Sequence, residues 1–193
     1  MIRRAVFASF VVLMLSTASV LAAAKTVTIK SASFSPAAVT VVMGGSVQWK
    51  NSTGKKHSIT SSATFLWAPI AVGAHKTSKA LVFSQAGTFA YYDSLHAGLS
   101  GSVAVPMQAN AAVLSVDSYV TLTVGTVPPS GPVWHDVVER LNGGAWVSAG
   151  TTESTSTDVK LNSAGTYEFE TRLHQALSGG NTGWSPIITV TAQ

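Results

Sequence analysis

Tyr91-Tyr92-Asp93-Ser94-Leu95-His96-Ala97-Gly98-Leu99-Ser100-Gly101 is a polar, glycine-containing run set between two stretches of alternating apolar character. Upstream, Gly87-Thr88-Phe89-Ala90-Tyr91 alternates large apolar with small or polar residues, and Ser102-Val103-Ala104-Val105 does the same downstream. A period of two marks a strand with one buried face. The run therefore predicts a loop joining two strands at the edge of a β-sandwich, and it carries a carboxylate, Asp93, and an imidazole, His96.

The same alternation recurs toward the N-terminus. Val27 and Ile29 alternate with Thr26, Thr28 and Lys30; Val47 and Trp49 with Ser46, Gln48 and Lys50; Leu81 and Phe83 with Ala80, Val82 and Ser84. Met43-Gly44-Gly45 and Gln85-Ala86-Gly87 supply turns between these runs, and Trp49 is expected in the core. Asn51-Ser52-Thr53-Gly54-Lys55-Lys56 makes a polar loop that ends at His57, the first residue of the strand His57-Ser58-Ile59-Thr60. An imidazole there can point across the end of the sandwich toward His96. Asn51-Ser52-Thr53 also fits the glycosylation acceptor pattern. The apolar stretch Thr64 to Ile70 is expected to cap the core, and His75 to lie exposed in a turn.

Together with Phe34-Ser35-Pro36, Val39-Thr40-Val41, Gly45 to Asn51 and His57-Ser58-Ile59-Thr60, the opening run resembles the plastocyanin and azurin family, the cupredoxins, over roughly Lys25 to Pro106. The resemblance implies a Greek-key β-sandwich with a copper site. One histidine would come from an early loop, and a cysteine, a second histidine and usually a methionine from the loop before the last strand. The matching positions here read His57, Asp93, His96 and Leu99. Both histidines fit, and both sulfur positions depart. A type 1 centre takes its colour and redox tuning from a short copper–thiolate bond, and the chain has no cysteine. Ordinary blue-copper electron transfer is therefore not expected.

The 193 residues suffice for a leader and two small domains. Residues 1–24 read as a secretory signal peptide, with Arg3 and Arg4, an apolar core from Ala5 through Leu15 and a small-residue end at Ala22-Ala23-Ala24. An uncleaved anchor is the alternative, but Ser16, Thr17 and Ser19 interrupt the run short of the ~20 apolar residues a spanning helix needs. No membrane span is expected after cleavage. A secreted location follows, whether extracellular, cell wall or periplasm.

An exported chain without cysteine must be held by apolar packing rather than disulfides. The formal net charge is +4; Arg3 and Arg4 leave with the leader, so the mature chain carries +2. Residues 25–106 hold seven lysines against one acid, whereas residues 107–193 hold three basic residues against seven acids. That asymmetry could serve solubility, draw the halves together, or attract an extracellular protein or an anionic cell-surface polymer to the first half. The lysines are scattered and follow no recognition motif, so nucleic acid is not an expected partner.

Met107 to Ala112 reads as a connector, and residues 113–193 form a second β pattern. Tyr119 to Val124, Val133-Trp134, a hairpin through Asn142-Gly143-Gly144, Gly165 to Leu173, and Ile187 to Val190 supply strands, with Tyr167, Phe169 and Leu173 inward. The Gly165-Thr166-Tyr167-Glu168-Phe169 strand and the Trp184-Ser185-Pro186 entry resemble fibronectin type III and related immunoglobulin-like sandwiches. Trp134, Trp146 and Trp184 could offer a sugar-stacking face, but core packing is the expectation. His135 and His174 have acidic neighbours but no metal-ligand spacing, and exposure is expected for both.

The whole is thus expected to be all-β, a Greek-key cupredoxin-like sandwich followed by a fibronectin type III-like one. No nucleophile elbow or phosphate-cradling loop is present, and Ser100, His96 and Asp93 share one loop, which disfavours a catalytic relay. No enzyme is expected. Two uses of His57, Asp93 and His96 stay open. Asp93 could accept hydrogen bonds from the backbone amides of the following turn and pair with the imidazoles, with no cofactor and a role in binding or interaction. Alternatively, the three residues form a hard donor set for Cu(II) or Zn(II) in sequestration or delivery.

Overall fold

The computed structural model describes residues 23–193. The leader expected over residues 1–24 falls almost wholly outside the described residues. Among the described residues no helix is long and apolar enough to cross a membrane.

Nine strands build the first half: β1 Lys25–Ile29, β2 Phe34–Ser35, β3 Ala38–Thr40, β4 Gly45–Asn51, β5 His57–Ser61, β6 Ile70–Val72, β7 Leu81–Phe83, β8 Gly87–Tyr92 and β9 Ser100–Val105. They form two sheets, ordered β2-β1-β4-β7 and β3-β9-β8-β5-β6. The alternation read from the sequence sets which side chains meet between them. Val27, Ile29, Val47, Trp49 and Phe83 from one sheet join Ile59, Val72, Phe89, Tyr91, Val103 and Val105 from the other in one cluster. Tyr91 is packed edge-on by both Phe34 and Trp49, with ring centroids 5.0 and 5.3 Å away. Phe65, Leu66, Trp67 and Ile70 cap this cluster, and His75 is exposed, as expected.

β8 and β9 pair antiparallel from Gly87↔Val105 to Tyr92↔Ser100, so residues 93–99 form the closing loop. β5 lies on the other edge of β8, with Thr60 opposite Tyr92. The start of β5 and the β8–β9 loop therefore share one end of the sandwich.

Eight strands follow: β10 Gln108–Ala109, β11 Val113–Leu114, β12 Tyr119–Thr123, β13 Val133–Leu141, β14 Val147–Thr152, β15 Ser156–Lys160, β16 Gly165–Gln175 and β17 Ile188–Ala192. Their sheets run β10-β12-β15 and β11-β17-β16-β13-β14. Val120, Leu122, Val137, Leu161, Tyr167, Phe169 and Val190 fill the space between them. Met107 is buried in this second cluster, and so is Ala86, which precedes β8.

The two clusters touch. Val133 and Leu173, at one end of β13 and β16, belong to the first core, and Met43 packs against both. Thr88 and Gly183 exchange backbone hydrogen bonds of 2.9 Å, and the Thr88 hydroxyl donates to the Trp184 carbonyl at 2.7 Å. His135 closes the seam. Its Nε2 lies 2.9 Å from Gln85 Oε1, while the Gln85 amide nitrogen donates to the Val127 carbonyl, which fixes the amide's orientation. Nε2–H therefore donates to Gln85, and Nδ1 faces the Thr171 hydroxyl at 3.2 Å.

Two expectations about the histidines and tryptophans of this half are corrected. His135 is not exposed but fully buried, and His174 is half-buried. Burial pushes its pKa down to about 4, partly opposed by the neighbouring Asp136 carboxylate, so it is neutral at pH 7. Conversely, Trp134, Trp146 and Trp184 are not core residues but half-buried. Val133, His135 and Val137 point inward, so Trp134, Asp136 and Val138 take the outer face. On that face Arg140 lies 4.5 Å above the Trp146 ring, Arg172 lies 4.5 Å above the Trp184 ring, and Trp134 stacks on His174 at 4.9 Å.

Candidate functional site

Two backbone elements bring the site together. The loop before β5 is folded by Asn51, whose buried side chain donates to the carbonyls of Lys55, Val72 and Gly73 and accepts from the amide and hydroxyl of Thr53. An asparagine that bonds its own chain two residues on makes a turn without a backbone partner. Here it also ties that turn to the end of β6, which fixes where β5 begins. The functional weight of Asn51 was not legible beyond its glycosylation pattern. The available signal was the Asn-Ser-Thr-Gly composition, which favours such a turn.

His57 enters β5 buried, with Nδ1 directed inward and Nε2 2.7 Å from the Thr53 hydroxyl. From the β8–β9 loop, Asp93 meets it. The Asp93 side chain is fully buried, and its Oδ2 accepts from His57 Nδ1 at 2.5 Å and from His96 Nδ1 at 3.1 Å. Its other oxygen, Oδ1, accepts from the amides of Ser58 at 3.0 Å and Leu95 at 2.9 Å. The imidazoles of His57 and His96 lie 4.3 Å apart between centroids. His96 keeps part of its ring in solvent, beside a cleft of about 370 Å³ lined by Ser31, Thr53, Gly54, Lys55 and the two histidines.

Burial alone would raise the pKa of Asp93. The hydrogen bonds from His57, the amides of Leu95 and Ser58, and His96 outweigh it and hold the carboxyl below its ordinary value. A buried carboxylate with four donors is a satisfied group.

The three residues singled out in the sequence thus converge, with one donor atom from each within 4.8 Å of the others. Leu99 is buried in the first core, with its carbonyl accepting from the Asp93 amide at 3.0 Å. A type 1 copper does not fit this donor set, because no thiolate is available and the carboxylate in its place is already saturated. The 2.5 Å between His57 Nδ1 and Asp93 Oδ2 is also shorter than the roughly 3.3 Å that separates two ligands held about 2.0 Å from a tetrahedral ion. Coordination of Cu(II) or Zn(II) would require this pair to part by under about 1 Å.

Among solved structures the chain is similar to an oxidised methionine-to-leucine variant of amicyanin, with 27% identity, 42% of this chain and 81% of that one covered, and a TM-score of 0.39. It is similar to a reduced Cu(I) form of a proline-to-glycine variant at pH 4, with 26% identity, 42% and 81% covered, and a TM-score of 0.39. A reduced tryptophan-to-tyrosine variant gives 24% identity, 45% and 86% covered, and a TM-score of 0.40. No protein-family model and no curated protein matches the chain.

Proposed function

We propose that this chain is an exported binding or interaction protein, neither an enzyme nor a blue-copper electron carrier. In this reading a cupredoxin-like first sandwich keeps the two histidine-bearing loop ends of that family and closes them with a hydrogen-bonded carboxylate. The second sandwich, fibronectin type III-like or immunoglobulin-like, serves interaction. The protein acts outside the cytoplasm, in the medium, at a wall or in a periplasm. Its lysine-rich first half suits an extracellular protein or an anionic surface polymer as partner.

The observation that carries the reading is the saturation of Asp93. Its two oxygens take two imidazole and two amide hydrogens, so the site is complete on protons alone. Asp93 thereby ties the β8–β9 loop to β5.

A second reading is favoured by one observation, the approach of three metal-capable donor atoms to within 4.8 Å. Cu(II) or Zn(II) would be held by His57, Asp93 and His96 for sequestration or delivery. Calorimetric titration of the purified protein with each ion at pH 7, beside Asp93→Ala and His96→Ala, separates the two. Absence of saturable heat is expected. Micromolar, stoichiometric binding that both substitutions abolish would replace the first reading with the second.

A further inference from the structure

The outer face of β13 and β16 carries a group of side chains that the Asp93 site does not use. Asp136 sits at its centre. One of its oxygens accepts from the Trp134 indole N–H at 3.2 Å, and the other accepts from Arg172 Nε at 3.1 Å and His174 Nδ1 at 3.3 Å. His174 stacks on Trp134, with planes 27° apart. The indole is thus fixed in its plane by Asp136 and backed by an imidazole, while remaining half-exposed. Such immobilisation on a surface lowers the entropy cost of stacking a ligand against the ring.

Trp134 also borders an open cleft of about 540 Å³, which it lines with Thr151, Thr152 and Glu153. The register explains the grouping. Thr151 stands opposite Asp136 across the β13–β14 ladder, and residues directly opposite share a face. Glu153 follows directly on β14 and lines the cleft with Trp134. Thr151 and Glu153 are exposed. The cleft therefore sets a rigid apolar ring beside a hydroxyl and a carboxylate on one sheet surface.

We infer that this cleft binds a pyranose unit of a glycan without negative charge. A pyranose presents an apolar face of C–H groups to stack on an indole and a rim of hydroxyls. Those hydroxyls can donate to Glu153 and exchange hydrogen bonds with Thr151. Charge excludes the acidic glycans: residues 107–193 carry seven acids against three basic residues, and Glu153 stands in the cleft itself. The inference deepens the reading as an exported interaction protein by naming a ligand class. It uses none of the residues around Asp93, so either can fail alone.

The test is titration of the full chain with cellohexaose, with N-acetylchitohexaose and with a hyaluronan hexasaccharide, followed by calorimetry. Saturable binding of at least one of the two uncharged sugars and not of hyaluronan is expected. Trp134→Ala should weaken that binding at least about tenfold. Thr151→Val on the edge strand β14 and Glu153→Gln just beyond it, both at exposed positions, should each weaken it roughly three- to tenfold. Trp134→Phe should retain part of it. No binding of either uncharged sugar at millimolar concentration overturns the inference. So does sugar binding that survives all of these substitutions. Selective binding of a proline-rich peptide to the same residues would assign the cleft to protein instead.

Discussion

At the scale of the residue, Asp93 and Glu139 show opposite outcomes for a buried carboxyl. Asp93 receives four hydrogen bonds, so removing its side chain leaves the buried His57 imidazole, the partly exposed His96 imidazole and two amides without that acceptor. We expect Asp93→Ala to cost about 3–5 kcal/mol in urea unfolding. Asp93→Asn should recover most of that, because its Oδ1 can still accept the two amides. Glu139 has a buried Oε2 with no hydrogen-bond partner among the described residues, and burial raises its pKa. A raised acid pKa means that the folded state holds its proton more tightly than the unfolded one. Stability is then greatest below the unfolded value and falls as pH rises through the folded value. Glu139→Gln should therefore stabilise the protein by about 1 kcal/mol at pH 7 and by close to nothing at pH 4. Urea midpoints at the two pH values decide it, and an equal gain at both would refute the account. Both histidines and Asp93 were legible in the sequence through its resemblance to the cupredoxins, whose ligand positions they match; strand alternation by itself placed them only at or beside strand ends. The bracing of the site by Asn51 was not legible, since its partners at Val72 and Gly73 lie about twenty residues away.

At the scale of the element, the β8–β9 hairpin carries the loop, and its pairing depends on Gly101. A Cβ there would stand 2.5 Å from the Tyr91 hydroxyl and 2.8 Å from the Ala37 carbonyl. One contact is with a ring packed by Phe34 and Trp49 and the other with backbone, so neither can yield cheaply. Gly101→Ala should lower stability by about 1–3 kcal/mol, read as a fall in the thermal midpoint. An unchanged midpoint would show that the hairpin relaxes around it. β13 teaches a different lesson. Val133 and Val137 set the parity of the strand, and on that parity His135 and Glu139 belong inside and Trp134 outside. The reading by residue type, with tryptophan in and histidine out, was wrong because the sheet's outer face provides its own partners in Arg140, Arg172 and His174.

At the scale of the whole molecule, the halves are joined through a neutral, buried histidine. His135 reaches Gln85 across the seam, and its pKa of about 4 lies below the ordinary value near 6.5. Because the unfolded chain takes up the proton first, stability is lost as pH falls from roughly 6.5 to about 4. The loss is on the order of 3 kcal/mol. His135→Gln should flatten that part of the pH profile, followed by urea unfolding at pH 7 and pH 4. A profile unchanged by the substitution would place the acid sensitivity elsewhere.

By itself the sequence determined three things about this protein: the all-β alternation, the absence of any sulfur ligand at the loop, and the presence of two imidazoles and a carboxylate at strand ends. Those are properties of residue type and local period. Only the tertiary structure decided that the two oxygens of Asp93 are closed by donors from β5 and from its own loop, and that His135 rather than Trp134 is buried. Each depends on what a distant segment places opposite the residue, and periodicity of two names the alternating faces without saying which of them another part of the chain will cover.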